Sequence, residues 1–255
     1  GAISREHIGA FAGMEDAKVT AVADIATDKA ENLASKFSLK VYTDYIEMLD
    51  KEKPDIAVIT LPHFLHKQAA VDCAKRGCNI LLEKPMAMDE QECNDIINAC
   101  DKFGVKLMVG HVRHFYNCYN KIREIIQSNL LGELIMITNV RYVNYFSPRR
   151  PDWFFHERTG GGGIVMNLGA HSFDIIQYLT GSRAEAVSAK VGRFADGIEV
   201  EGNSQIFAVL ESGITASISL SGYNSVFRHE TELIFKKGMI KTTDDNGGTL
   251  FVSKN

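Results

Sequence analysis

No apolar run in this 255-residue chain approaches the roughly 20 residues needed to cross a bilayer, and its start lacks the basic-then-apolar pattern of a secretory signal. Neither sign of charge dominates: 28 Lys and Arg stand against 32 Asp and Glu, for a net charge of −4. Without a basic field there is nothing to hold nucleic acid or an anionic membrane. Cysteine is scarce and odd in number (Cys73, Cys78, Cys93, Cys100, Cys118), with no C-x-x-C pair. Reduced thiols in a cytoplasmic protein are therefore expected, not disulfides or zinc ligands. Two H-x-x-H spacings, His63/His66 and His111/His114, lack an acidic partner in metal-site spacing, so no metal is expected. No internal repeat and no low-complexity linker occurs.

What is present is a change of grammar partway along. Residues 1–112 alternate short apolar runs with helical patterns: strands at 18–24, 40–42, 54–60, 79–83 and 106–111, helices at 27–37, 43–50, 66–76 and 89–103. Thr27 is a plausible cap for the first of these helices. Strands that are apolar throughout belong to a parallel sheet covered on both faces, and alternation with helices makes a doubly wound α/β domain. Residues 113–255 read differently. A helix near 116–129, a long strand at 133–146 and a helix near 164–180 precede strands at 185–194, 203–211, 214–222, 230–236, 239–243 and 249–253. Tight turns such as Glu211-Ser212-Gly213 predict a mostly antiparallel open sheet, hence an α+β second domain.

The opening "GAISREHIGAF" reads as a turn and helix without the strand that should come before them. The polypeptide is therefore expected to extend upstream, and both ends look cut. Gly1, Ala2, Ile3 and Ser4 would be the second half of a G-x-G-x-x-[GAS] phosphate turn at a helix N-terminus. Asp24, roughly twenty residues on and at a strand end, is where an acid would hold ribose hydroxyls and repel a 2′-phosphate. It favours NAD over NADP; a solvated strand-end Asp is the bland alternative.

Ligands of such sheets bind at the carboxyl edge. "TLPHFLH" (60–66) lies there, with Leu61 and Pro62 able to wall a nicotinamide, while His66 either joins them or caps the next helix. In "NILLEKPMAM" (79–88) the strand ends on Glu83, Lys84 and Pro85 at the same edge. Partial desolvation and a cationic ring nearby would lower the lysine's pKa to a useful value. Pro85 is a candidate cis residue that would aim the lysine; an ordinary surface lysine is the competing reading. In "GGGGIVMNLGAHSFDIIQYLTG" (160–181), Asn167, His171, Asp174 and Tyr178 share one helix face. Such a stripe is usually a wet face, but the four glycines imply a close backbone approach to something.

With these segments on one chain, the sequence resembles the Gfo/Idh/MocA family of NAD(P)-dependent sugar and polyol dehydrogenases. The resemblance rests on "GAISREHI", Asp24, "LPHFLH", "LLEKPMAM", "LLGEL" and the glycine-helix segment. E-K-P and G-G-G…H-x-x-D occurring together, about eighty residues apart, are specific where either alone is not. The resemblance implies a Rossmann domain with NAD (NADP less so), held by Gly1–Ser4, Asp24, Leu61, Pro62, His66, Glu83 and Lys84. It implies Lys84 and His171 as catalytic residues acting on a sugar, polyol or nucleotide-sugar hydroxyl. Asn167, Trp153, Arg113 and Tyr142 would hold substrate, and the second sheet would serve a homodimer or homotetramer. Two departures stand out: Asn167 replaces a common Asp and cannot take a proton, and His114-Phe115 replaces a common Arg-Phe. Relatives also imply two alternatives, an NAD-dependent glycosidase and a non-catalytic ligand-sensing regulator.

Overall fold

A computed structural model describes residues 2–223, 226–243 and 248–254. They form two compact units, one running to Gly110 and one from His111. In the first, β1 (Ala21–Ala23) and β2 (Lys40–Tyr42) pair in parallel, as do β3 (Ile56–Ile59), β4 (Asn79–Leu82) and β5 (Leu107–Val109). Helices α1 (Ala2–Ala12), α2 (Thr27–Phe37), α3 (Tyr45–Glu52), α4 (His66–Lys75) and α5 (Glu90–Phe103) alternate with them. Parallel neighbours need such crossovers because a tight turn cannot return the chain to the same end.

Local chemistry places the helix ends. Asp44 accepts from the Ile46 N–H to start α3, and Asp89 accepts from the Glu92 N–H to start α5. Gly104, left-handed at φ 66°, ends α5. Thr27 is not a cap: it is already helical, and Asp24 instead accepts the Ala26 N–H at 2.9 Å. The strands are shorter than their apolar runs, and coverage is incomplete. Ile56, which opens β3, is 52 % exposed, and Met108 on the edge strand β5 is 49 % exposed. The unit's core runs through Leu49, Ile59, Ala70, Cys73, Ile80, Leu82 and Ile96, with Cys78 and Cys100 among its packing residues. None of the five cysteines is in a disulfide among the described residues.

The second unit is built on a seven-stranded sheet in the order β12-β11-β10-β6-β9-β8-β7. Its strands are β6 (Leu134–Tyr142), β7 (Ala184–Gly192), β8 (Asn203–Leu210), β9 (Thr215–Ser221), β10 (Arg228–Phe235), β11 (Gly238–Thr243) and β12 (Thr249–Lys254). All pairs are antiparallel except β6–β9. Alternation along β6, β8, β9 and β10 turns Ile137, Ile206, Ile218 and Leu233 into one core. That core also takes Tyr119, Ile122 and Ile125 of α6 (Asn117–Gln127) and Ile175, Ile176 and Leu179 of α8 (Ala170–Thr180). Helical spacing gives both helices an apolar stripe, and covering the sheet buries it. The four-residue helix α7 (Glu157–Gly160) leads into the glycines.

Candidate active site

In the first unit, three chain segments meet around Glu83. It follows β4, is 9 % exposed, and its Oε1 lies 2.8 Å from Nε2 of His7 on α1. Its Oε2 accepts the Lys84 N–H at 3.2 Å. Burial alone would raise this carboxyl, but the hydrogen bond and charge of His7 outweigh it and hold the pKa below the ordinary value. Gly110, just past β5, completes the arrangement: a Cβ there would sit 3.2 Å from Glu83 Oε1. The expected role of Glu83 as a cofactor contact is thus overlaid by an internal one. It ties the first helix to the base of Lys84.

His66 departs further from expectation. It is 0 % exposed, so it neither walls a ligand nor caps a helix with its ring. Its Nδ1 lies 2.9 Å from the Pro85 carbonyl oxygen and its Nε2 2.9 Å from that of Leu61. Burial lowers its pKa, while the two carbonyl contacts pull the other way by favouring the doubly protonated ring, the only form that donates to both. The ring therefore pins "LP" at 61–62 to "KP" at 84–85, and the Lys84–Pro85 peptide bond is cis. Lys84 itself is half-buried at the carboxyl end of β4.

Gly1 lies outside the described residues; Ala2, Ile3 and Ser4 form the first turn of α1, one turn before His7. The N–H groups of a first turn have no acceptor within their own helix, which suits them to a pyrophosphate. Asp24 sits just past β1 with its Oδ1 on the Ala26 N–H, and its Oδ2 accepts no hydrogen bond from the described residues. The residues present therefore fit a dinucleotide.

The second unit answers the question raised by the four glycines. The close approach is to the chain itself, at Glu201. Its Oε2 accepts the Gly163 N–H at 2.9 Å, its carbonyl oxygen the Ile164 N–H at 3.0 Å, and its Oε1 the Val165 N–H at 2.9 Å. A Cβ on Gly163 would lie 2.0 Å from the Glu201 carbonyl oxygen. Glu201 thus caps a π-helical turn, Val165–Gly169, that runs into α8. π-turns are uncommon and concentrate at functional sites. This one carries Asn167, so Asn167 and His171 are not simple one-turn neighbours on an α-helix.

His171, in the first turn of α8, is 8 % exposed. Asp174 lies on the same helix with its Oδ1 2.9 Å from His114 Nε2 and its Oδ2 3.5 Å from His111 Nδ1. The acid that linear spacing did not supply to His111 and His114 is thus provided by folding. Among the described residues, however, no group of three or more His, Cys, Asp and Glu could hold a metal. His114 also stacks on Tyr178 with centroids 4.1 Å apart. Arg113 is buried on the short 3₁₀ turn Val112–Phe115, and Trp153 is half-buried, stacked on Phe154 at 3.7 Å.

Tyr142 does not join this group. Arg141 points inward, 1 % exposed, with its Nε 3.1 Å from Ser172 Oγ on α8. Strand alternation therefore sends Tyr142 to the opposite face, where its hydroxyl lies 3.0 Å from Ser219 Oγ. There it lines a shallow hollow of about 390 Å³ with Phe194, Gln205 and Tyr223. His7, Glu201 and Arg141 were not anticipated. Only Arg141 carried a signal, a charge in register with the inward Ile137 and Asn139.

The first unit pairs parallel strands and helices around a carboxyl edge bearing an acid, a lysine and a dinucleotide-compatible helix start. This defines a Rossmann-type dinucleotide-binding domain. The chain belongs to the Gfo/Idh/MocA family: residues 1–111 match its oxidoreductase domain with NAD-binding Rossmann fold, and residues 119–241 its C-terminal domain. It is 27 % identical over 240 residues to the Escherichia coli K12 2,7-anhydro-N-acetylneuraminate hydratase, covering 92 % of this chain and 63 % of that protein. It is 26 % identical over 254 residues to an Arthrobacter inositol 2-dehydrogenase, covering 97 % and 72 %. A solved NAD-binding protein from Listeria innocua superposes with a TM-score of 0.86 at 26 % identity, covering 98 % of this chain and 73 % of that one. The chain spans about half to two thirds of several curated relatives that it matches.

The His7–Glu83 pair yields a pH prediction. A carboxyl held below its unfolded pKa adds stability above that pKa and loses it as pH falls through the folded value. Urea unfolding is expected to show this contribution at pH 7 and its decline below about pH 4.5, the ordinary carboxylate range. His7→Ala should flatten that decline; an unchanged acid limb would remove the pair from the stability balance.

Proposed function

We propose that the protein is an NAD-dependent oxidoreductase moving a hydride between the nicotinamide and a secondary alcohol of a sugar, polyol or sugar derivative. NAD, when bound, supplies the hydride acceptor or donor. Ala2–Ser4 would hold its pyrophosphate, Asp24 its ribose, and Leu61 and Pro62 would wall its ring. Lys84 hydrogen-bonds the reacting oxygen and stabilises its developing negative charge, while His171 exchanges the hydroxyl proton. Asn167, with Trp153 and Arg113, orients the remaining hydroxyls.

The observation that carries this reading is the support of Lys84: the residue before it is locked by His7 and the residue after it by His66. A solvated surface lysine needs no such frame, whereas a reacting group must be held within about half an ångström of its working position. NADH formation across inositols, aldoses, sugar acids and nucleotide sugars tests the reading. An absence of turnover on every member would end it. Asp24→Ala is expected to weaken NAD binding and relax discrimination against NADP; the same cofactor preference before and after would take Asp24 out of the site.

A second reading has specific support in the neuraminate hydratase relative, named for a reaction without net redox change. Product formation from a sugar ether without accumulating NADH would favour it. The face of the second sheet opposite its core carries the exposed Met136 and Phe207, which suits it to pairing with a second copy.

A further inference from the structure

Arg150 stands apart from the arginines of this chain that rest on an acid. Arg76, Arg193 and Arg228 each rest on a carboxylate, from Asp50, Glu157 and Glu230 respectively. Arg150 is half-buried, yet among the described residues it makes no ion pair. The acids close to it in sequence or in the glycine loop are engaged elsewhere. Asp152 Oδ2 lies 2.9 Å from His156 Nε2, and both oxygens of Glu201 hold backbone N–H groups.

The guanidinium is nonetheless fixed. Its Cζ lies 4.1 Å from the Tyr145 ring centroid and 4.8 Å from that of Phe154, and its Nε donates to the Tyr145 carbonyl oxygen at 2.7 Å. Aromatic faces hold a cation without consuming its N–H groups. Here they immobilise the stem and, among the described residues, leave both terminal nitrogens unspent. A planar fork with its rotamer already chosen reads a carboxylate through two parallel hydrogen bonds at little further entropic cost. Partial burial removes competing water and lowers the pKa of this group, as expected of a cation that has no counter-charge of its own. Tyr145 links it to the proposed site, because its buried phenol lies beside Asn167 on the π-turn.

We propose that Arg150 is a carboxylate-reading residue, and that the substrate is a sugar or polyol bearing an acid group away from the reacting carbinol. This rests on the reading above and narrows its substrate class. One ordered guanidinium, with its Nε spent on the Tyr145 carbonyl and its two terminal nitrogens left as a fork, matches the two oxygens of a carboxylate.

Equilibrium binding of D-glucuronate, D-glucose and D-glucose 6-phosphate to the NAD-loaded protein, followed by calorimetry, tests this without requiring turnover. Wild type is expected to bind glucuronate about tenfold or more tightly than glucose, the gain of a charge-assisted pair. Arg150→Met should abolish that difference while leaving glucose within about twofold. Should Arg150→Met fail to fold, Arg150→Lys keeps the charge over the rings and loses only the fork, and should still cost several-fold for glucuronate. Equal binding of acid and neutral sugar, an acid preference that survives in the variants, or a larger Arg150 dependence for the phosphate would each overturn the proposal. NADH formation is read separately. Arg150-dependent glucuronate binding in a protein that oxidises nothing would sink the oxidoreductase reading and leave this one standing.

Discussion

Lys84→Ala is expected to reduce turnover by about 10²- to 10⁴-fold, the usual contribution of a positioned proton-handling or oxyanion-stabilising group, while NAD affinity stays within a few-fold. The expectation rests on what holds the surrounding loop. The backbone on either side of the lysine is held by other side chains, Glu83 on His7 before it and the Pro85 carbonyl on His66 after it. Removing the amine therefore leaves the loop in place. Steady-state NADH formation and a parallel NAD titration measure both halves. Turnover within a few-fold of wild type would remove Lys84 from the chemistry, and an equal loss of NAD binding would recast it as a cofactor contact.

Gly163→Ala should be the most damaging single change to the second unit. The added methyl would lie 2.0 Å from the Glu201 carbonyl oxygen, a backbone atom that is itself hydrogen-bonded to the Ile164 N–H. It cannot move without releasing the carboxylate from the Gly163 and Val165 N–H groups. Overpacking costs roughly 1–3 kcal/mol, and each released buried hydrogen bond adds about 1 kcal/mol. A loss of about 3–5 kcal/mol follows, which lowers the melting temperature by on the order of 10 °C in a chain of this size. Gly9→Ala is the control. Nothing lies within 4 Å of its added Cβ, and it sits in α1, so the change should be neutral or slightly stabilising. Because Asn167 and His171 hang from the capped turn, Gly163→Ala should also lower turnover. A thermal melt indistinguishable from that of Gly9→Ala would show that the loop has room that the geometry denies.

Several site elements could be read in one dimension because each is set by a local rule. A strand followed by Asp24, a strand ending in Glu83-Lys84-Pro85, and glycines opening a helix all mark positions along the chain. Short-range backbone chemistry decides what can stand at such positions. Tyr142 went astray at this same level: a one-residue difference in strand parity separates it from the inward Arg141, and a long apolar strand with buried polar residues hides its parity. His66 was misjudged for another reason. A histidine at a strand-to-helix junction looks like a ligand contact until both of its nitrogens are seen to face carbonyl oxygens.

Composition and periodicity were enough to determine a parallel α/β unit followed by an open-sheet unit, while Lys84, His171 and Asp24 stand as candidates, the first two in a catalytic role that the family resemblance implies. The supports of those residues were decided only by folding. His7 meets Glu83 across 76 positions, Glu201 reaches Gly163 across 38, and His114 reaches Asp174 across 60. Such pairings depend on which elements pack together, and hydrogen bonds between distant residues leave no periodicity in the chain that forms them.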